Sequence, residues 1–200
     1  MPIAAHSPLV VGLGGTVRPG STSETALRTA LAGAEGAGAR TICFGAADLD
    51  MPFYDPQSPQ RAPSAQRLMA ALRAADGVVV ASPGYHGALS GLVKNALDYV
   101  EDMVADERVY FSGLPVGCIG VAYGSQAAVS VLGNLRGVAH ALRGFPTPYG
   151  AAVVAGAGIF EHGRCVHAET AARLRLVGEQ VVQFAVRAPT AVPRATVGAA

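Results

Sequence analysis

Residues 14–23 read Gly-Gly-Thr-Val-Arg-Pro-Gly-Ser-Thr-Ser, which puts four hydroxyl side chains and one guanidinium within ten residues. Hydroxyls donate to oxyanions, and arginine pairs with them through charge-assisted bonds. Glycine lets backbone N–H groups come close. The chemistry such a set suits is the holding of a phosphate. What the stretch lacks narrows the choice. No Gly-Lys-Ser/Thr follows, so the lysine that reaches the outer phosphates of a nucleoside triphosphate is absent. Gly12 and Gly14 begin a dinucleotide-type pattern, but Val17 stands where a third glycine would permit close packing over a pyrophosphate. Thr16, Arg18, Ser21, Thr22 and Ser23 remain, a ring suited to one terminal monophosphate.

Two other sets carry less. Asp98 and Asp102 are four residues apart, but no base lies beside them, and with Glu101, Asp106 and Glu107 they read as a solvated acidic face. His162, Cys165 and His167 supply three ligands where a closed zinc site wants four, and the segment reads as a turn into the last helix.

The elements around residues 14–23 suit an anion site. Residues 9–11 form a short apolar run of the kind that fills a parallel sheet. After the loop, Ser21, Thr22 and Ser23 stand where an N-cap belongs, and Glu24 puts negative charge in the first turn. Ala26, Leu27, Ala30, Leu31 and Ala34 make one apolar face of the helix that follows. Strand, glycine-rich turn and helix N-terminus together converge backbone N–H groups on one point.

Four further strands are expected at 39–44, 78–81, 116–121 and 149–154, with helices at 62–75, 92–104, 127–143 and 168–186. This alternation implies a parallel sheet with helices on both faces. In such sheets ligands sit outside the carboxyl ends of the strands. The loops after strands one, three and four (residues 82–91 and 123–126 for the last two) are therefore the candidate site. The loop at 48–59, rich in Pro and Asp, is too long for a plain connection and is either functional or packed by its own Phe53 and Tyr54.

Composition sets the class. The chain has 200 residues, half of them hydrophobic, and its mean hydropathy is positive. No apolar run has membrane-spanning length. Residues 1–187 are expected to form one domain and 188–200 a disordered tail. The first residues, Met-Pro-Ile-Ala-Ala-His-Ser-Pro, lack the basic and apolar regions of a signal peptide, and Cys43, Cys118 and Cys165 are odd in number and scattered. The expected location is cytoplasmic. With 15 basic and 14 acidic residues the net charge is +1, which disfavours both a nucleic-acid surface and an acidic electron shuttle docking on basic partners.

Four stretches resemble the NADPH-dependent FMN reductase family of the flavodoxin-like superfamily. They are Gly-Gly-Thr-Val-Arg-Pro-Gly-Ser-Thr-Ser, Asp-Met-Pro-Phe-Tyr-Asp, Ser-Pro-Gly-Tyr-His-Gly-Ala-Leu-Ser-Gly-Leu-Val-Lys-Asn-Ala-Leu-Asp-Tyr and Tyr-Gly-Ser-Gln. The resemblance implies an α/β flavodoxin-like three-layer sandwich with a five-stranded parallel sheet of order 2-1-3-4-5. It implies FMN as cofactor, with Thr16, Arg18, Ser21 and Ser23 on its phosphate. Pro83, Gly84, Tyr85 and His86 would lie along the ring, with Gly124 and Ser125 near its pyrimidine edge. The family's loop after strand three usually reads Pro-Glu-Tyr-Asn; here it reads Pro-Gly-Tyr-His, leaving no side chain at Gly84 to shield the flavin. His86 is either near the flavin or an exposed loop histidine.

The function implied is hydride transfer from NAD(P)H to FMN and on to an acceptor. That acceptor would be free flavin for a partner monooxygenase, a quinone or an azo compound. The alternative is a flavin-binding electron carrier or sensor without steady-state reductase activity. No nucleic acid or membrane partner is expected. The family's pairing through helices beside the flavin loops implies a homodimer or tetramer.

Overall fold

The computed structural model describes residues 7–187; the tail expected at 188–200 and residues 1–6 lie outside them. Strand β1 (Leu9–Gly14) is buried along its whole length, and with β3 (Gly77–Tyr85) and β5 (Pro115–Ala122) it makes the middle of the sheet. These three read as near-continuous apolar runs because both of their faces are covered. At one edge β2 (Arg40–Phe44) alternates exposed and covered residues, and at the other β7 (Ala151–Val154) alternates buried and exposed. That period of two marks strands with one wet face.

Side chains alternate between two cores. Val10, Val79, Ala81, Ile119 and Val121 face helices α1 (Thr22–Gly36) and α6 (Ala168–Ala185). Val11, Leu13, Val78, Val80 and Val116 face the other layer. That layer comprises α2 (Ala46–Leu49), α3 (Pro63–Ala74), α4 (Gly91–Asp98) and α5 (Ser125–Ala141). The α1–α6 contact is close because two glycines permit it. A Cβ on Gly178 would lie 1.9 Å from the Ala30 carbonyl oxygen, and one on Gly33 would lie 2.3 Å from that of Arg175.

The fold is the expected α/β flavodoxin-like sandwich, and the parallel order β2-β1-β3-β5-β7 follows from the pairings. The five-strand description needs correcting, because the sheet has seven strands. The expected fifth strand is split. A short β6 (Phe145–Pro146) pairs with Pro115 and Val116, and β7 starts at Ala151 rather than near 149. Between the pieces Pro148 has no N–H for the ladder. The Tyr149 amide there turns to the Gln180 side chain, and Arg136 takes the carbonyls of Thr147 and Pro148. The seventh strand, β4 (Ala88–Leu89), folds back on β3, which runs to Tyr85 instead of ending at Ala81.

Two other expectations change. The helix expected at 92–104 is α for Gly91–Asp98 and then tightens into a 3₁₀ turn at Tyr99–Met103. Its acidic face is paired rather than simply solvated. Arg61 grips Asp102 with two bonds of 2.7 and 2.8 Å, Arg73 meets Asp106 at 2.7 Å, and Lys94 meets Asp98. In the long loop after β2, Tyr54 packs edge-on to Tyr99 at 5.3 Å while Phe53 is 89 % exposed, so the two aromatics do not pack the loop together. Asn95 instead holds the loop, accepting from the Tyr54 amide at 2.8 Å and donating to the Pro52 carbonyl at 2.9 Å. The Tyr99 hydroxyl donates to the same carbonyl.

Candidate functional site

At its carboxyl end β1 turns away beside β3. A Cβ on Gly14 would meet the Ala81 carbonyl oxygen at 2.1 Å, so only glycine allows this exit. Deeper in the strand, a Cβ on Gly12 would strike Leu27 and Leu31, which is how α1 comes to lie close on β1. The Gly15 amide donates to the Ala81 carbonyl at 3.3 Å. Thr16 then closes a small turn around its own hydroxyl, accepting from the Arg18 amide at 3.1 Å and donating to the Arg18 carbonyl. Arg18 is exposed.

Ser21 is the N-cap of α1, and its Oγ accepts from the Glu24 amide at 3.3 Å. Its Oγ also lies 3.3 Å from that of Ser23, both residues being buried. Whichever hydroxyl donates in that pair, the other keeps a proton for a further acceptor. The amides of Thr22 and Ser23 lie in the first turn, where a helix has no internal partners for its N–H groups. Behind the loop, buried Glu24 accepts from the Gly20 amide at 3.1 Å and from Arg28 at 2.7 Å. Arg28 pairs with this carboxylate from the next turn of α1, and that bond pushes the guanidinium upward in pKa. The charge left facing outward is that of Arg18. A hydroxyl proton, first-turn amides and one guanidinium make a donor set that fits a phosphate monoester, so the loop has the chemistry that FMN requires.

The second loop is a β-hairpin. Gly84 pairs with Leu89 and Tyr85 with Ala88, leaving His86 and Gly87 as a two-residue turn. Both have positive φ, 51° and 85°, as a type I′ turn demands. Histidine is among the few side chains that tolerate this conformation. His86 is exposed and Tyr85 is half-exposed at the tip. Pro83 is buried in register with Val121. A Cβ on Gly84 would point at Val131 and Ala122, 3.1 and 3.2 Å away. The absent side chain therefore lets the hairpin seat against Val131 of α5 and Ala122 of β5, a role the sequence did not show.

The third loop follows β5. Gly124 caps α5 and Ser125 opens it, both exposed. Tyr123 is 86 % exposed, two residues beyond Val121 as Tyr85 is beyond Pro83. From the sequence, Tyr123 belongs to the loop at 123–126 but has no assigned part in the site. The available signal was an aromatic residue between an apolar run and a Gly-Ser helix start.

The remaining candidates lie elsewhere. Cys165 ends β9 (Arg164–Cys165), which forms a hairpin with β8 (Phe160–Glu161), and His162 sits in its turn at φ 48°. His167 caps α6 by accepting from the Thr170 amide. Among the described residues no three His, Cys, Asp or Glu side chains are grouped as metal ligands. The three cysteines are free, and burial raises each thiol, Cys118 to about 12, so none is activated as a thiolate.

Residues 8–158 match the family model described as NADPH-dependent FMN reductase. An "NADPH azoreductase" of Bacillus sp. (strain OY1-2) is 34% identical over 88 residues, 44% of this chain and 46% of that one. An "FMN-dependent NADPH-azoreductase" of Staphylococcus aureus (strain USA300) is 37% identical over 75 residues, 38% and 36% of the two chains. The matched stretch thus spans less than half the length of these curated relatives. The solved structure of FerB, a flavoenzyme NAD(P)H:(acceptor) oxidoreductase from Paracoccus denitrificans, superposes with a TM-score of 0.72 at 19% identity. It covers 90% of this chain and 98% of that one, and it shares the fold.

Proposed function

Because the chain belongs to the NADPH-dependent FMN reductase family, we propose that it binds FMN across the three loops and reduces it with NAD(P)H. The electrons then pass to free flavin for a partner monooxygenase, a quinone or an azo compound. The observation that carries this reading is the cradle of Ser21, Ser23, the first turn of α1 and outward-facing Arg18. Bound FMN would supply the redox chemistry, taking a hydride from the nicotinamide and handing its electrons on.

The tasks left to the protein are anchorage, placement and access. Arg18, Ser21, Thr22 and Ser23 hold the phosphate, with Thr16 shaping the turn that carries Arg18 and the helix dipole favouring the charge. Pro83, Gly84, Tyr85 and His86 lie along the ring, and Gly124 and Ser125 lie at its edge. Tyr85 and Tyr123, both exposed, offer aromatic faces to a planar partner. No side chain of this set needs to act as an acid or base, since hydride transfer depends on stacking and distance.

The assembly is a homodimer or a dimer of dimers. On α5, Val129, Gly133, Gly137 and Ala141 recur every four residues on the outward face, and among the described residues nothing beyond the helix's own turn comes within 4 Å of a Cβ on either glycine. A glycine inside a helix is unfavourable by about 1 kcal/mol relative to alanine. A second copy packed closely on α5 gives both of them a use, and light scattering that returned a monomeric mass would remove it. Among the described residues no helix is long and apolar enough to cross a membrane. We place the protein in the cytoplasm, where scattered free thiols stay reduced.

Calorimetry of the ligand-free protein tests the central reading. FMN should bind far more tightly than riboflavin, and equal affinities would remove the phosphate cradle. NAD(P)H oxidation with FMN, a quinone and an azo dye offered separately then identifies the acceptor class.

A further inference from the structure

The hairpin that follows the buried part of β3 is held at its base by a side chain. Ser82 is fully buried, and its Oγ accepts from the Ser90 amide at 2.9 Å while donating to the Pro83 carbonyl at 2.9 Å. The hairpin register, Tyr85 with Ala88 and Gly84 with Leu89, would next set Pro83 against Ser90. In an ordinary ladder the Ser90 amide would donate straight to the Pro83 carbonyl. Here a hydroxyl stands between them as a relay, so the base of the hairpin is wider by one oxygen. Pro83 has no N–H with which to close the other side. Ser90 is the N-cap of α4, its Oγ accepting from the Val93 amide, so the same relay ties the hairpin to that helix.

We propose that Ser82 is a positioning residue: its hydroxyl sets the spread of the hairpin and so the place of Tyr85, His86 and Gly87 against the bound flavin ring. The assignment rests on the FMN reading only for what the tip touches; the relay itself belongs to the ligand-free chain. Without the hydroxyl, the Ser90 amide and the Pro83 carbonyl lose the atom that joins them, and the base of the hairpin loosens. Gly84 fixes the other coordinate by seating the hairpin on Val131 and Ala122.

Two measurements on Ser82→Ala and Ser82→Thr decide it. In the ligand-free protein, Ser82→Ala should raise amide hydrogen exchange at residues 84–90 by about tenfold, the factor carried by one hydrogen bond. Exchange in β1 and β5 should stay unchanged, and Ser82→Thr, which keeps the hydroxyl, should restore the hairpin. No change at 84–90, or an equal rise through the whole sheet, overturns the relay. With FMN added, Ser82→Ala should keep an affinity within a few-fold of the native chain. Its bound flavin should show a shifted visible absorbance band, and kcat should fall about tenfold with KM for NAD(P)H little changed. An unshifted band with native kcat overturns the positioning role. A native chain that takes up no FMN removes the flavin reading, and the exchange measurement then decides the relay alone.

Discussion

The loop at residues 14–23 and the hairpin at residues 83–90 sit at the same end of adjacent strands, and they are held in shape by different means. The first leaves β1 at a point where no side chain fits, then bonds its hydroxyls to its own backbone amides and keeps Arg18 facing outward. Its remaining donors, a Ser21 or Ser23 hydroxyl proton and the first-turn amides, lie at the N-terminus of α1, where an anion is favoured. The hairpin bonds strand to strand, turns through two residues of positive φ, and presents Tyr85 at a distance fixed from below by Ser82. Donor direction defines the one, and register defines the other. A phosphate is recognised by charge and hydrogen bonds, whereas a flat ring needs only a surface at the right height.

The largest expected effect contrasts two glycines. Gly14→Ala drives a Cβ to within 2.1 Å of a backbone oxygen and should lower stability by about 3 kcal/mol in urea unfolding. Gly87→Ala meets nothing within 4 Å and carries only the strain of a positive φ, about 1 kcal/mol. Equal losses would mean that the exit of β1 is no tighter than the hairpin turn. Arg18→Ala should come next, weakening FMN binding by about 1.5–3 kcal/mol with riboflavin affinity unchanged, as read by calorimetry. Excess FMN should largely rescue its NAD(P)H oxidation.

Tyr85→Ala should do the reverse, slowing NAD(P)H oxidation or changing acceptor preference more than it weakens FMN binding. If added FMN fully restores that variant, the hairpin is merely a second anchor and the contrast between the loops collapses. The smallest effect separates capping from ligand binding in Ser21. Ser21→Ala should lower stability by about 1 kcal/mol and Ser21→Gly by only a few tenths, while both lose the same hydroxyl toward phosphate. Unfolding and FMN titration of the two variants should therefore rank them differently.

Much of this was legible locally. The buried runs of β1, β3 and β5 could be read from unbroken apolar residues, and the N-cap of α1 from Ser21 with Glu24 three residues on. What escaped was decided across long separations. Pro83-Gly84 reads as a strand end, yet β3 continues because Leu89 and Ala88 fold back to pair with it. Asp102 reads as solvated until Arg61, forty-one residues away in sequence, closes on it. The split of the last strand depends on Arg136 and Gln180 taking polar groups that a ladder would otherwise use. In the site, the residue types of the phosphate loop announced themselves, but the direction in which Gly84 lacks a side chain needed the position of α5.

The glycine contact between α1 and α6 has a bearing on the order in which the protein is made. Residues 8–158 carry the family match and the three candidate flavin loops, yet the helix that braces α1 from behind spans Ala168–Ala185. On the ribosome the chain emerges N-terminus first. A nascent chain that has reached the end of β7 has every donor of the cradle, while the apolar face of α1 beyond the sheet is still uncovered. The Ala30 carbonyl against which Gly178 packs has no neighbour until some twenty-four residues later. The helix that carries the loop at residues 14–23 thus gains its backing only from a segment made well after the loop itself.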